Sequence, residues 1–275
     1  MHFKNVIVRR ALLLSPLIVL LSVHPVVAVE KPAATLWAKD SLTSPNQPVA
    51  VEAKLTKSSL RAGIGMAGER LELVQDGKVV ATSVTGEDGR AVFSHLAKMR
   101  GNTTLTIRTA ESAHAVATTM TTMAAWERRM PILTVELSAL FKQPAVQEPI
   151  ADAAEELGKL TQYYYNVIYV VTEGAEHDDA FQASDRARQW LARHKFPLGY
   201  VLVLPPGEGM LGHKIDELRA GGWTTLKMGV GRTKPFAEAF LQRRLDAVMV
   251  PEPTKAETPR KAKVAKEWKE VRKKL

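Results

Sequence analysis

The hydrophobic pattern of the chain changes once, near residue 127, and this change constrains the fold more than any other feature. Before it, short runs alternate apolar and polar residues with period two, and turn signals separate them. After it, continuous β-branched runs such as NVIYVVT and GYVLVLP alternate with segments of helical spacing. The sequence therefore predicts two architectures, and a hydrophobic content of 45% is enough to give each a core.

Residues 47–127 carry the alternating pattern. The segment ERLELVQDGKVVATSVT reads as a hairpin that turns at Asp76-Gly77, because Asp-Gly supplies the positive φ of a tight turn. Six or seven such strands, with turns between them, predict an antiparallel β-sandwich of immunoglobulin-like type. Residues 29–46 are rich in Pro, Ser and Thr, and we predict that they form a linker.

Residues 128–253 carry the second pattern, in which strands alternate with helices. This alternation predicts a parallel sheet with helices on both faces. The spacing predicts a helix over Ile150–Tyr164, a helix that starts at Ser184 as its N-cap, a helix closed by Gly221 and a helix over KPFAEAFLQRRL. Ligands of such sheets bind at the carboxyl ends of the strands.

The first 28 residues have the organisation of a signal peptide. Basic residues, Lys4, Arg9 and Arg10, precede the apolar run ALLLSPLIVLLSV, and VVA fits a cleavage site after Ala28. We therefore expect a periplasmic or secreted protein, with a retained anchor as the alternative. The chain has no cysteine, which excludes disulfides, Cys catalysis and Cys-based zinc sites.

The net charge of +9 is concentrated at the two ends of the chain. Residues 1–28 contribute +3 and residues 254–275, a basic tail, contribute +6, so the body between them is neutral. A neutral body argues against nucleic acid as a partner. The tail has two interpretations. It is a solvated, partly disordered end, or a basic helix that contacts anionic lipid head groups and holds the protein peripherally at a membrane.

Several segments, taken in order, resemble the haloacid dehalogenase-like phosphatase superfamily. The likeness is closest to the lipin-type phosphatase domain in the C-terminal region of membrane-associated phosphatidylinositol transfer proteins. It rests on VIYVVTEG, WLARHKFPLGYVLVLP, KIDELRAGG and MGVGRTKPFAEAF, and on the preceding GERLELVQDGKVVATSVTGEDGRAVF. It covers about residues 48–253. The resemblance implies an immunoglobulin-like sandwich followed by an α/β Rossmann-like (haloacid dehalogenase-like) parallel sheet.

The resemblance also implies where a catalytic site would lie. Such phosphatases place Asp-x-Asp at the end of the first strand, as nucleophile and acid/base, with magnesium. Glu136 and Ser138 stand at these positions in PILTVELSALF. A glutamate reaches about 1.5 Å further than an aspartate, and serine cannot act as a carboxyl acid/base. We therefore predict no catalytic residue and no cofactor, with magnesium expected only if the chain is an enzyme after all.

Glu136 keeps three interpretations at this stage. It is a structural carboxylate paired with an arginine such as Arg232, a degenerate site residue, or an active nucleophile. No metal site is predicted, because the adjacent acidic residues of GAEHDD do not generally converge on one ion.

Six residues match the phosphate-holding parts of the family: Thr172, Glu173, Gly174, Lys214, Gly231 and Arg232. Their retention predicts a binding module without catalysis, for a phosphorylated ligand or an anionic, phosphatidate-like lipid. These residue types also have ordinary structural roles. Threonine caps turns, lysine lies on the solvent-exposed side of helices, and glycine permits tight turns. Two other functions stay open. They are a divergent magnesium-dependent phosphatase and a structural or interaction protein of the cell envelope.

Overall fold

A computed structural model describes residues 34–57, 63–143, 146–172, 180–205 and 207–275. The strands are β1 Ala34–Ala38, β2 Ser41–Thr43, β3 Pro48–Lys57, β4 Arg70–Gln75, β5 Lys78–Val84, β6 Arg90–Leu96, β7 Gly101–Thr109, β8 Thr118–Ala125, β9 Ile132–Glu136, β10 Asn166–Val171, β11 Tyr200–Val203, β12 Leu226–Gly231, β13 Asp246–Met249 and β14 Lys263–Val264. The α-helices are α1 Ala153–Tyr163, α2 Ala180–Arg193, α3 Met210–Ala220, α4 Lys234–Leu241 and α5 Trp268–Lys274. The predicted signal peptide lies outside the described residues.

Two sheets in the N-terminal half enclose one core and form a β-sandwich. One has the order β1-β3-β6 and the other the order β2-β8-β7-β4-β5. Alternate residues of facing strands, such as Leu55, Leu71, Phe93 and Ile107, are fully buried between them. The pattern of period two thus produces the predicted sandwich, because alternate side chains point to the same side of a strand.

The linker predicted over residues 29–46 is wrong for residues 34–43, which form β1 and β2. Leu36 and Ala38 bury their side chains in the sandwich core. These strands are too short, at five and three residues, for alternation to have distinguished them from a Ser- and Pro-rich linker.

The C-terminal half is a parallel sheet with the order β11-β10-β9-β12-β13-β14. Helices α1, α2 and α5 pack on one face and helices α3 and α4 on the other, which confirms the prediction of helices on both faces. Ser184 is not an N-cap, since α2 begins at Ala180. Ser184 lies inside the helix, 1% exposed, and its Oγ accepts a hydrogen bond from Arg188 Nη1 at 2.9 Å.

Residues 254–275 are part of the fold rather than a disordered tail. β14 pairs with β13, and α5 packs against α1. Trp268 and Val271 are 0% exposed, and Trp268 Nε1 donates to Ala139 O at 3.1 Å. The interpretation of this segment as a solvated, partly disordered end is therefore wrong, because its apolar side chains close the core of the parallel sheet. The lysines and arginines of this segment remain exposed.

A buried carboxylate joins the sandwich to the parallel sheet. Asp40 accepts hydrogen bonds from the backbone N–H of Thr122 in β8 and of Val201 in β11, each at 2.9 Å. The same carboxylate binds Arg188 of α2 at 2.8 Å. A carboxylate with no exposed side-chain surface needs such partners. Asp40 thus fixes the two halves against each other.

Across the described residues, no helix is both long enough and apolar enough to cross a membrane.

Candidate functional site

The parallel sheet has a topological switch point between β9 and β12. From β9 the chain passes first to β10 and β11 on one side, and later to β12 and β13 on the other. Connections on opposite faces leave a crevice between the carboxyl ends of the two strands where the direction changes, and ligands of open α/β sheets bind there. This crevice is therefore the expected position of a ligand site.

Glu136 fills the crevice with its own carboxylate. Its Oε2 accepts hydrogen bonds from the backbone N–H of Arg232 at 2.7 Å and of Thr233 at 2.9 Å. Its Oε1 accepts from Thr233 Oγ1 at 2.7 Å. Thr233 is also the N-cap of α4, where its Oγ1 accepts from Phe236 N. The carboxylate therefore occupies the helix N-terminus, a position at which such folds commonly hold an anion.

The surroundings of Glu136 fit a structural carboxylate better than a nucleophile. The residue is 1% exposed, and both oxygens have hydrogen-bond donors. Burial raises the pKa of Glu136, while hydrogen bonds from Thr233 and Arg232 oppose that rise. An attacking oxygen needs an in-line approach to phosphorus, and a side chain that is 1% exposed offers none.

Arg232 contacts Glu136 through its backbone, not through an ion pair of the two side chains. Its guanidinium donates to two backbone carbonyls, those of Phe141 and Lys142. This side chain ties the β12–α4 loop to the segment after β9. Glu136 and Arg232 are therefore close together, as predicted, but a backbone hydrogen bond joins them instead of an ion pair of their side chains.

Gly231, another predicted site residue, lies under helix α4. A Cβ at Gly231 would collide with the ring of Phe236, and a Cβ at Gly229 would collide with Phe236 and Phe240. Both glycines therefore allow the aromatic side of α4 to pack on β12. This close packing gives the Gly-x-Gly sequence a structural reason that is independent of phosphate.

Thr172 lies in a different place, at the mouth of a cavity beside the carboxyl ends of β9 and β10. The cavity has a volume of about 360 Å³, and its polar lining residues are Ser138, Gln147, Thr172 and Arg186; the Ser138 hydroxyl itself is buried. Trp190 and Phe141 form an aromatic wall, with ring centroids 4.7 Å apart. Glu173 and Gly174, predicted beside Thr172, lie outside the described residues. Ser138 and Thr172 are thus brought together, as neighbours of a common cavity.

Lys214 is not part of this group. It lies on α3 and lines a separate cleft of about 640 Å³ between the sandwich and the parallel sheet, together with Lys39 and Tyr200. Its Nζ forms an ion pair with Glu217 at 2.8 Å. The structure therefore separates Lys214 from Glu136 and Thr172, because a position one turn into α3 points along the side of the sheet.

Magnesium would need several hard oxygen ligands at one point. Among the residues that the structure describes, no three His, Asp or Glu side chains cluster closely enough to hold a metal ion. The carboxylate oxygens of Glu136 accept hydrogen bonds from Arg232 and Thr233 and are therefore engaged with donors rather than arranged to bind a metal ion.

Two charged residues at these sites could not be recognised from the sequence. Arg186 lines the cavity of Thr172, and Asp40 joins the halves of the molecule. The only signal for Arg186 is the helical spacing of α2, which puts it near the same side as Ala183 and Trp190. Asp40 gave no signal, since its partner Arg188 is 148 residues away.

No family model matches the chain, and no curated protein matches its sequence. Among solved structures, the D0-D1 domain of intimin matches 34% of this chain and 46% of its own length, at 8% identity and a TM-score of 0.23. The Ig1-2 module of the Drosophila receptor protein tyrosine phosphatase DLAR matches 38% of this chain and 61% of its own, at 8% identity and 0.26. The human B7-H4 IgV-like domain matches 34% of this chain and 98% of its own, at 9% identity and 0.24.

For intimin and DLAR the match spans less than two thirds of the matched chain. The DLAR and B7-H4 fragments are named as immunoglobulin modules, which are β-sandwiches, as is the N-terminal half of this chain. At these identities and TM-scores, the likenesses establish neither a family nor a function for this chain.

Proposed function

We propose that the α/β half is a haloacid dehalogenase-like module, with a Rossmann-like strand plan, that binds a phosphomonoester group without hydrolysing it. One contrast carries the proposal. Glu136, at the strand position of a nucleophile, is enclosed and accepts hydrogen bonds at both oxygens, whereas Thr172, just after the neighbouring strand β10, is exposed and lines an open cavity with Arg186. The strand order, with the first strand at the centre, supports the Rossmann-like plan.

The chemistry of the cavity suits a phosphate group. Phosphate oxygens accept hydrogen bonds from hydroxyls such as that of Thr172, and an arginine such as Arg186 offers a planar, bidentate donor. A volume of about 360 Å³ lies at the small end of ligand pockets. The cavity therefore suits a phosphomonoester head group, either free or at the end of a phosphatidate-like lipid.

The proposal includes export to the periplasm or the medium and contact with an anionic membrane surface. Five of the nine exposed cations of residues 254–275 lie on β14 and α5, and Trp268 fixes α5 to the body. Each lysine or arginine near such a surface adds about 1 kcal/mol. Binding of this kind weakens as salt screens the charges, so sedimentation with anionic vesicles should fall steeply with ionic strength.

The test uses the full chain with glycerol 3-phosphate in calorimetry, and with phosphatidylcholine vesicles that contain or lack phosphatidate. We expect binding of the phosphomonoester and selective sedimentation with phosphatidate. Thr172→Val and Arg186→Gln should each weaken both by about tenfold, because each removes a hydrogen bond to a charged group. Lys214→Ala, in the other cleft, is the matched control and should change neither.

The two sources of phosphate give different results. Binding of glycerol 3-phosphate identifies a free phosphomonoester as sufficient, whereas binding to vesicles alone identifies the lipid head group. Absence of calorimetric binding together with equal sedimentation of neutral and phosphatidate vesicles would overturn the proposal.

A second candidate function is that of an interaction protein of the cell envelope. Strand β5 lies at the edge of its sheet and exposes Val79, Val80 and Val84 by 45%, 42% and 59%. An apolar edge strand is a template for pairing with another chain. Cross-linking in an envelope fraction should capture a partner with the wild type and lose it with Val80→Lys. Val116→Lys, at a site elsewhere that is 62% exposed, should keep it; equal capture by all three proteins counts against this function.

A further inference from the structure

A cavity of about 960 Å³ lies between the outer side of the sandwich and helix α2, away from the proposed phosphate site. Thr104 and Thr106 of β7 form part of one wall, since their neighbours Leu105 and Ile107 point into the sandwich core. Helix α2 separates the two sites, because Arg186 and Trp190 line the smaller cavity while Gln189 and Ala192 line this one.

The walls of this cavity are predominantly apolar. Leu191 and Phe196 form its floor and are 6% and 7% exposed. Met120 and Leu198 also line the cavity and are 62% and 48% exposed, so apolar surface of the lining is open to solvent. A volume of this size, apolar walls and a position between two structural halves are the properties of a pocket for a small molecule.

The charges of the lining favour an anion at one end. Arg188 is paired with two carboxylates, Asp185 and Asp40, at 3.2 and 2.8 Å; the carboxylates outnumber the arginine, but the three side chains are at most 12% exposed. Arg193, in the last turn of α2, lines the cavity and forms no ion pair within the described part of the chain. Eight residues of helix separate it from Asp185, about 12 Å at 1.5 Å per residue. The exposed, uncompensated charge is thus positive and lies at one end of the groove.

One residue of the lining carries a buried polar donor. Trp37 lines it, and its indole Nε1 is buried without a hydrogen-bond partner among the described residues. Indole N–H groups usually find an acceptor when they are buried. A ligand oxygen within hydrogen-bond distance of Nε1 would give this donor the acceptor that it lacks.

We propose that this cavity binds one molecule of an anionic amphiphile. Its apolar chain lies against Leu191 and Phe196, and its carboxylate or similar anion binds Arg193. The proposal is independent of the proposed phosphomonoester site, which uses the opposite side of α2. An unbranched chain of moderate length fits the groove better than a compact ring, because the apolar lining continues from Leu191, in the last turn of α2, through the following segment to Leu198.

The experiment uses the full chain and dansyl-undecanoic acid as the fluorescent probe, with its methyl ester as the uncharged counterpart. Ala192→Trp fills the cavity from an exposed helix position, and Arg193→Gln removes the cation. Arg186→Gln, on the other side of α2, is the control. We expect saturable binding of one acid per chain, weaker binding of the ester, and acid binding weakened about tenfold by Arg193→Gln. Ala192→Trp should abolish the binding of both probes.

Equal binding of the acid by the wild type, Ala192→Trp and Arg193→Gln would overturn the proposal. Binding of several acid molecules per chain would also overturn it, because it indicates adsorption to the surface. The proposal would also be overturned if the wild type bound no probe and formed a dimer that Ala192→Trp made monomeric. That result would assign the groove to a second copy of the chain. Arg193→Gln should leave glycerol 3-phosphate binding unchanged. The two proposals can therefore fail separately.

Discussion

Replacement of Asp40 by alanine should destabilise the whole protein, since this one carboxylate holds both halves. Its removal leaves the backbone N–H groups of Thr122 and Val201 without acceptors in a buried place. It also takes the closest acidic partner from Arg188, whose side chain is only 12% exposed. The perturbation therefore combines two known sources of large destabilisation.

The magnitude follows from these contacts. Two buried donors left without partners cost about 1–3 kcal/mol each, and breaking a buried ion pair by removing one partner costs about 3–5 kcal/mol. The two estimates describe overlapping effects, and Arg188 keeps Asp185 at 3.2 Å. We therefore expect a loss of about 4 kcal/mol in the free energy of unfolding, a large part of the roughly 5–15 kcal/mol typical of a folded protein.

Urea unfolding, followed by both fluorescence and circular dichroism, measures this loss. Asp40→Asn keeps one acceptor oxygen and should lose less than Asp40→Ala. The matched control is Asp216→Ala, which breaks an exposed pair with Arg243 at 2.8 Å and should have a small effect. If Asp40→Ala unfolds at the same urea concentration as Asp216→Ala, the reasoning about the junction is refuted.

Three further predictions concern the parallel sheet. Burial raises the pKa of Glu136 above 4.5, so the folded state holds the Glu136 proton more tightly than the unfolded state. The free energy of unfolding of the wild type, relative to that of Glu136→Gln, should therefore fall as pH rises from about 4.5 through the folded pKa, and then level off. Urea titrations at stepped pH measure this difference. A constant difference across this range would show that the carboxylate is not buried as described. Trp268→Ala should cost about 3–5 kcal/mol, because it empties a fully buried site and removes the bond to Ala139; a melting temperature like that of the wild type would show that α5 is not docked. Gly231→Ala should cost about 1–3 kcal/mol by pressing on Phe236, measured by the same unfolding assay, and a neutral result would contradict the packing of α4 on β12.

The regular parts of the fold could be predicted from local patterns. The hairpin at Asp76-Gly77 has positive φ at both residues, 49° and 75°, as the Asp-Gly pair indicates. Continuous apolar runs became the central strands of the parallel sheet, and helical spacing located α1, α3 and α4. These features depend on neighbours within a few residues, so the sequence carries them directly.

The parts that failed depend on distant contacts. Trp268 and Val271 have the spacing of an apolar helix side, but only the folded sheet shows that Ala139 and α1 receive them. The charged composition of the segment suggested solvation, and tertiary packing outweighed that tendency. β1 is likewise a strand because β3 lies beside it.

The candidate site was predictable in outline and not in detail. The carboxylate in an apolar strand drew attention to Glu136, since a buried charge needs a reason, and the structure shows this side chain buried with hydrogen-bond donors at both oxygens. Its partners are the backbone and hydroxyl of residues 232–233, nearly one hundred positions away, and no local pattern specifies them. Lys214 was grouped with Thr172 from the family resemblance, and the structure places the two residues at different cavities.

The most direct test of binding without hydrolysis is a ³¹P NMR titration of the full chain with glycerol 3-phosphate and magnesium. We predict a saturable change in the phosphomonoester signal that Thr172→Val weakens, with no growth of the inorganic phosphate signal over hours. Growth of inorganic phosphate that Glu136→Gln abolishes would contradict the account, because it would make the enclosed carboxylate a nucleophile.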